Sequence, residues 1–302
     1  MRKKREIIEK AILKGLQGAL SNTNQHEPQL VANLVWHIPN AINVESSLPI
    51  KAAGVFIHQT PKVKSGRFKN HESVELGDLL LLREKGKKTR ALLLQAKKVD
   101  CIPEIPKNDD QHYLYAKQPR FKYVNSGKRL NGRIRRITGL NTYDGCQYLL
   151  VNKKPKINGP LAWTAHPSSV NSRLTHYSDF ANVLVDFILG YDGRECNGKP
   201  YPSSKNWDRV IDDMVKVITS RESVYMSRVT GNETSERGVC LFYCGTMEIL
   251  VGSGELCPNG GPSAKNSNSI LNKIPDRPEE NNEELPISLS IIKFTIDEKN
   301  PE

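Results

Sequence analysis

The sequence predicts an α/β fold: a mixed sheet flanked by helices, in the order αβββαβ, with a helical extension after it. Two observations carry the prediction. Leu79 to Leu82 and Ala91 to Leu94 are apolar runs without alternation, the pattern of strands covered on both faces. Around them, apolar residues recur at helical spacing both before the runs and well after them.

The elements follow in order. Ile8, Ala11, Ile12, Gly15, Leu16 and Ala19 predict an amphipathic helix from about Arg5 to Leu20. Pro28 suits the first turn of a second helix, expected to run to roughly Asn40. Ala53 to His58 reads as a strand, and the two leucine runs follow as a hairpin. Asn108, Asp109 and Asp110 would cap a short helix that Pro119 stops. Cys146 to Val151 is another buried strand. Phe180, Val183, Leu184, Phe187 and Ile188 predict a helix with Ser178 as cap and Gly190 as stop, and Trp207 to Ile218 predicts another. Val239 to Tyr243 and Met247 to Val251 are expected as short strands. The domain reading is a helical lead-in over 1–27, a core over 28–160, a helical extension over 161–258, a disordered linker over 259–286 and a β-prone segment over 287–302. Within that last segment, Ile287 to Ile296 is expected to add to a sheet edge, here or on a protein partner.

The hairpin brings polar groups together. Partners across an antiparallel pair have a constant index sum, which is 173 for a turn centred between Gly86 and Lys87. Asp78 and Gln95 satisfy that sum, so they lie opposite each other on one face, with Lys97 two residues on. Gly86 as first central residue suits a two-residue type II′ turn. A carboxylate and an amide oxygen suit a hard cation such as Mg²⁺, and a nearby lysine can orient or deprotonate a bound water. That set of groups is the minimum for metal-dependent phosphodiester hydrolysis.

These residues and the order around them resemble the PD-(D/E)XK nuclease superfamily, most closely its Mrr-type branch with Gln-x-Lys. The resemblance covers about Pro28 to Asn152. It implies a Mg²⁺- or Mn²⁺-dependent DNA endonuclease, of a kind that serves restriction, repair or phage defence. Asp78 would be the metal-binding aspartate, Gln95 the second metal ligand through its side-chain oxygen, and Lys97 the catalytic lysine. Gly77 stands where the name-giving proline would be. Because Gln95 brings no charge, Glu75 or Glu27 is a candidate for an additional metal ligand, although strand parity sets Glu75 on the other side from Asp78 unless the chain bends at Gly77. The pattern recurs at Asp297-Glu298-Lys299, without a paired acid-bearing strand.

Charge points the same way. The 302 residues carry a net charge of +11, distributed as +14 over residues 1–150 and −3 over the remainder. A basic excess confined to one half is an electrostatic reason to expect a polyanion there. The expected nucleic-acid contacts are Lys117, Arg120, Lys122, Lys128, Arg129, Arg133, Arg135 and Arg136. Interleaved with them, Tyr113, Tyr115, Phe121 and Tyr123 fit packing of a helix onto the sheet better than stacking on bases. Lys85, Lys87 and Lys88 read as a solvated hairpin tip.

Other schemes find less support. The six cysteines are scattered and lack zinc-site spacing, which leaves buried free thiols. No nucleophile elbow accompanies His166 or His176, and the glycine-rich stretch near Gly252 lacks the Lys-Ser/Thr of a phosphate loop. The basic start continues into Glu6 and Glu9, so no secretory signal is expected and the reading is cytoplasmic. Two alternatives to a nuclease stand: an inactive nucleic-acid-binding module on the same fold, and a subunit recruited by a partner through 287–296. DNA against RNA, and monomer against homodimer, stay open at this stage.

Overall fold

The structure is a computed structural model that describes residues 2–21, 25–57, 61–69, 73–100, 109–124, 130–137, 145–153, 159–170, 173–196, 206–219, 239–242 and 290–296. Lys128, Arg129, Asp297 to Lys299, the 259–286 segment and Met247 to Val251 lie outside the described residues.

Two helices open the chain, α1 (Arg2–Ala19) and α2 (Glu27–Val44). In α1 the buried residues are the six that the periodicity selects. Helix α2 begins with Pro28 in its first turn and runs past Pro39 to Val44, beyond the expected end near Asn40. Five strands follow, β1 (Ile50–Ile57), β2 (Lys62–Lys64), β3 (Val74–Glu75), β4 (Leu79–Lys85) and β5 (Lys88–Val99), and then α3 (Asp109–Lys117). Next come β6 (Phe121–Val124), β7 (Ile134–Arg135), β8 (Cys146–Asn152), β9 (Ala162–Pro167) and β10 (Leu174–Asp179). The remainder is α4 (Phe180–Leu189), β11 (Arg194–Cys196), α5 (Asn206–Thr219), β12 (Val239–Phe242) and β13 (Ser290–Ile296).

The class is α/β, with one large mixed sheet in the order β10-β9-β8-β5-β4-β13-β1-β12. Strand β11 takes the first residues of β5, on the edge that β8 takes further along. A second, four-stranded sheet has the order β3-β2-β6-β7. Three strands were expected between the two core helices, and five are present because β2 and β3 leave for the second sheet.

The leucine runs behave as their lack of alternation requires. Leu79, Leu81, Leu92 and Leu94 face a core with α1, α2 and α4, whereas Leu80, Leu82, Ala91 and Leu93 face one with α3, α5 and the second sheet. Both faces are dry, so both parities must be apolar. The hairpin register is the expected one, from Leu79 opposite Leu94 to Lys85 opposite Lys88. Gly86 has φ 55°, which the first position of a type II′ turn requires.

Three expectations need correction. The 161–258 stretch is not only helical, because β9 and β10 extend the sheet from β8. The cap of α4 is Asp179, whose carboxylate accepts from Ala181 N at 2.9 Å; Ser178 belongs to β10 instead. The C-terminal strand does not sit at an edge. Antiparallel to β1 and parallel to β4, β13 is paired on both sides in the interior of the sheet. No helix among the described residues is long and apolar enough to cross a membrane.

Candidate functional site

The site forms where β4 and β5 part. Their pairing stops at Leu79 and Leu94, with one further bond from Asp78 N to Leu94 O at 2.9 Å, but β5 runs on to Val99 alongside β8. Beyond that point the β4-side N–H groups of β5 have lost their ladder partners and need others. Two carboxylates supply them. Asp78 Oδ2 accepts from Ala96 N at 2.8 Å, and Glu27 Oε1, from the first turn of α2, accepts from Lys98 N at 2.9 Å. The two acids therefore take alternate N–H groups of one strand, and Lys97 lies between those positions. Its Nζ is 3.4 Å from Glu27 Oε2.

Gln95 is fully buried, opposite Asp78 as its register predicts. Its Nε2 donates to Asp78 Oδ2, and its Oε1 accepts from Gln111 Nε2 on α3. Gln111 Nε2 also lies 3.4 Å from Glu75 O. Each amide in this relay has its nitrogen turned toward Asp78 or Glu75, which fixes the direction of the whole chain. In this arrangement the Gln95 N–H holds Asp78 in place while its oxygen accepts from Gln111.

The charge of Glu75 acts on Asp78, although the two lie at different sheets. Strand β3 belongs to the second sheet and β4 to the first, and the chain bends between them at Leu76 and Asp78, on either side of Gly77. There is little room at that bend: a Cβ on Gly77 would lie 2.7 Å from Leu93 Cδ1 and 2.8 Å from the Tyr115 hydroxyl. Tyr115 in turn donates to Leu76 O at 2.7 Å, tying α3 to the bend. Burial, the charge of Glu75 and, more weakly, that of Glu27 push the Asp78 carboxyl up to about 8, against the opposing pull of Lys97 and the Ala96 N–H.

Among the described residues, no group of three or more His, Cys, Asp or Glu side chains is placed to hold a metal ion. Mg²⁺ is usually held by one or two carboxylates, with water and substrate phosphates completing its shell. Asp78 is a carboxylate of that kind, and the charge of Glu75 acts on it, although burial is the larger cause of its raised pKa. Glu27 is less suited, because both its oxygens are engaged by Lys97 and Lys98.

The predicted nucleic-acid residues divide into two groups. Lys117, Arg120 and Lys122 are exposed. Arg133, itself exposed, and half-buried Arg135 close on Asp213 of α5, at 3.1 and 2.6 Å, and Asp213 is only 2% exposed. They pin β7 to α5, a role the sequence reading missed because it did not single out Asp213. Arg136 donates to Gln118 O at 3.1 Å. Tyr115, Phe121 and Tyr123 are buried in the core, as packing residues should be. Cys146 and Cys196 are buried free thiols, each made less acidic by burial.

No family model, curated protein or solved structure matches the chain.

Proposed function

We propose that the chain is a metal-dependent DNA endonuclease built on the PD-(D/E)XK pattern that its hairpin resembles. The observation that carries the reading is the pair of carboxylates, Asp78 and Glu27, on alternate N–H groups of β5 with Lys97 between them. The order α2, β1, β4, β5, α3, β8 supports it, since it keeps αβββαβ once β2 and β3 are set aside. Strand β13, inserted between β1 and β4, is a departure from that pattern.

Asp78, with Glu75 beside it, would hold a Mg²⁺ or Mn²⁺ ion, whose chemistry is to neutralise phosphate charge and lower the pKa of bound water. Gln95 and Ala96 N fix the Asp78 carboxylate by occupying Oδ2, which leaves Oδ1 for the cation. Lys97, steadied by Glu27, is the donor for a phosphate oxygen or a water. An inactive DNA-binding module is the second reading, and the orientation of Gln95 favours it: an amide N–H fills the place where a second ligand oxygen was expected.

Plasmid nicking with Mg²⁺ or Mn²⁺ tests the proposal. Wild type should cut, and Lys97→Ala and Asp78→Ala should each lower the rate by at least about 100-fold, the lower end of what a general acid–base contributes. Their thermal unfolding should show an intact fold. Wild type that binds DNA yet cuts with neither metal would leave the module reading in its place.

A further inference from the structure

The second sheet presents one dry face and one wet face. Val63, Val74, Phe121 and Tyr123 point inward to the core. The opposite parity puts Lys62, Lys64 and Lys122 outward, all three exposed. Lys64 is the direct cross-strand partner of Lys122, and Lys62 is that of Glu75. Like charges directly opposite each other destabilise a sheet unless something else takes them up.

A comparison within the same molecule shows what such an outlet looks like. Arg83 and Arg90 are also opposite each other, on β4 and β5. There the guanidiniums donate to carbonyls at and just beyond the end of α4, Arg83 to Ile188 O at 2.7 Å and Arg90 to Asp192 O at 2.8 Å. Lys64 and Lys122 have no such acceptors among the described residues. At the rim, Lys117 and Arg120 add two more exposed cations, and the Ser65 hydroxyl fixes the backbone there by donating to Arg120 O at 2.9 Å. The Lys85–Lys88 pair is exposed too, but it stands at the far end of β4 from Asp78.

We propose that the outer face of the β3-β2-β6-β7 sheet is the phosphate-binding surface for duplex DNA, delivering it to the Asp78 site. The inference rests on the nuclease reading for its direction, and Glu75 supplies the link. Glu75 shares this face with Lys62 and ends β3 three residues before Asp78. The choice of ligand follows from what the face lacks. Among the described residues of the sheet, the aromatic side chains Phe121 and Tyr123 are turned inward, so the face offers cations for backbone phosphates and not rings for unpaired bases. A duplex held by its backbone, without sequence preference, fits that chemistry.

The test is a salt titration of duplex oligonucleotide binding in chelator, followed by fluorescence anisotropy. Lys64→Gln/Lys122→Gln should reduce the slope of log K against log salt by about 1.8, since each lost phosphate contact removes about 0.9. Lys85→Gln/Lys88→Gln at the hairpin tip should leave the slope unchanged, and both variants should unfold cooperatively at or slightly above the wild-type temperature, since each loses a pair of opposed like charges. An unchanged slope in the first variant, no duplex binding by wild type at about 50 mM salt, or tighter binding of single strands would each overturn the proposal. Nicking assays separate it from the nuclease reading. A wild type that cuts while Lys64→Gln/Lys122→Gln keeps its slope leaves the nuclease without this surface. Binding with the lowered slope and no cutting in any metal leaves the surface without the nuclease.

Discussion

Held near pH 8, the Asp78 carboxyl is more easily protonated in the folded chain than in the unfolded one, where its pKa is close to the ordinary 3.8. The folded state therefore binds the extra proton between those values. The stability tied to that proton is complete below about pH 4 and is lost as pH rises through 8. Asp78→Asn cannot ionise and escapes that loss. In chelator, its melting temperature should gain on wild type as pH is raised from 5 to 9, and added Mn²⁺ should narrow the gap by favouring the wild-type carboxylate. A gap that does not change with pH would show that Asp78 is not held in this way. At this scale the register of Asp78 and Gln95 was legible, because the turn and the two leucine runs fix it. The direction of the Gln95 amide was not, because it is set by Gln111 on another element.

Among the elements, α1 was read well because it buries a single stripe, the residues that its spacing selects. Strands β9 and β10 were missed because they lie toward the sheet's edge with mixed polarity, and the register between them shifts from Thr175 to Ser178 around a left-handed His176 at φ 52°. What sequence spacing cannot convey is how closely two elements approach. A Cβ on Gly54 of β1 would meet the Val35 carbonyl oxygen of α2 at 2.2 Å, a backbone atom that cannot swing aside. Gly54→Ala must therefore push α2 off the sheet, with an overpacking cost of about 1–3 kcal/mol. Urea denaturation should show a lower midpoint with an unchanged slope. A midpoint equal to wild type would mean that helix and strand are not packed this closely.

For the molecule as a whole, the decisive feature is the position of β13. The sequence marked Ile287 to Ile296 as a strand seeking a sheet, but nothing local says which sheet or which place in it. Pairing with both β1 and β4 puts Ile292 and Phe294 fully inside the α1–α2–α4 core, with the Phe294 ring edge-on to Phe187 at 6.3 Å. Removing residues 290–302 would open two ladders at once and empty that part of the core. Losing a buried phenylalanine side chain alone costs about 3–5 kcal/mol, against a total stability of about 5–15 kcal/mol for a typical domain. Truncation cannot then separate partner recruitment from cleavage, as an edge strand would have allowed, because it removes the sheet that positions β4. A chain ending at residue 289 should lose its cooperative thermal transition, and a synthetic peptide of residues 287–302 should restore it by re-entering between β1 and β4. Unaltered cooperative melting of the truncated chain would mean that β1 and β4 hold together without the strand between them.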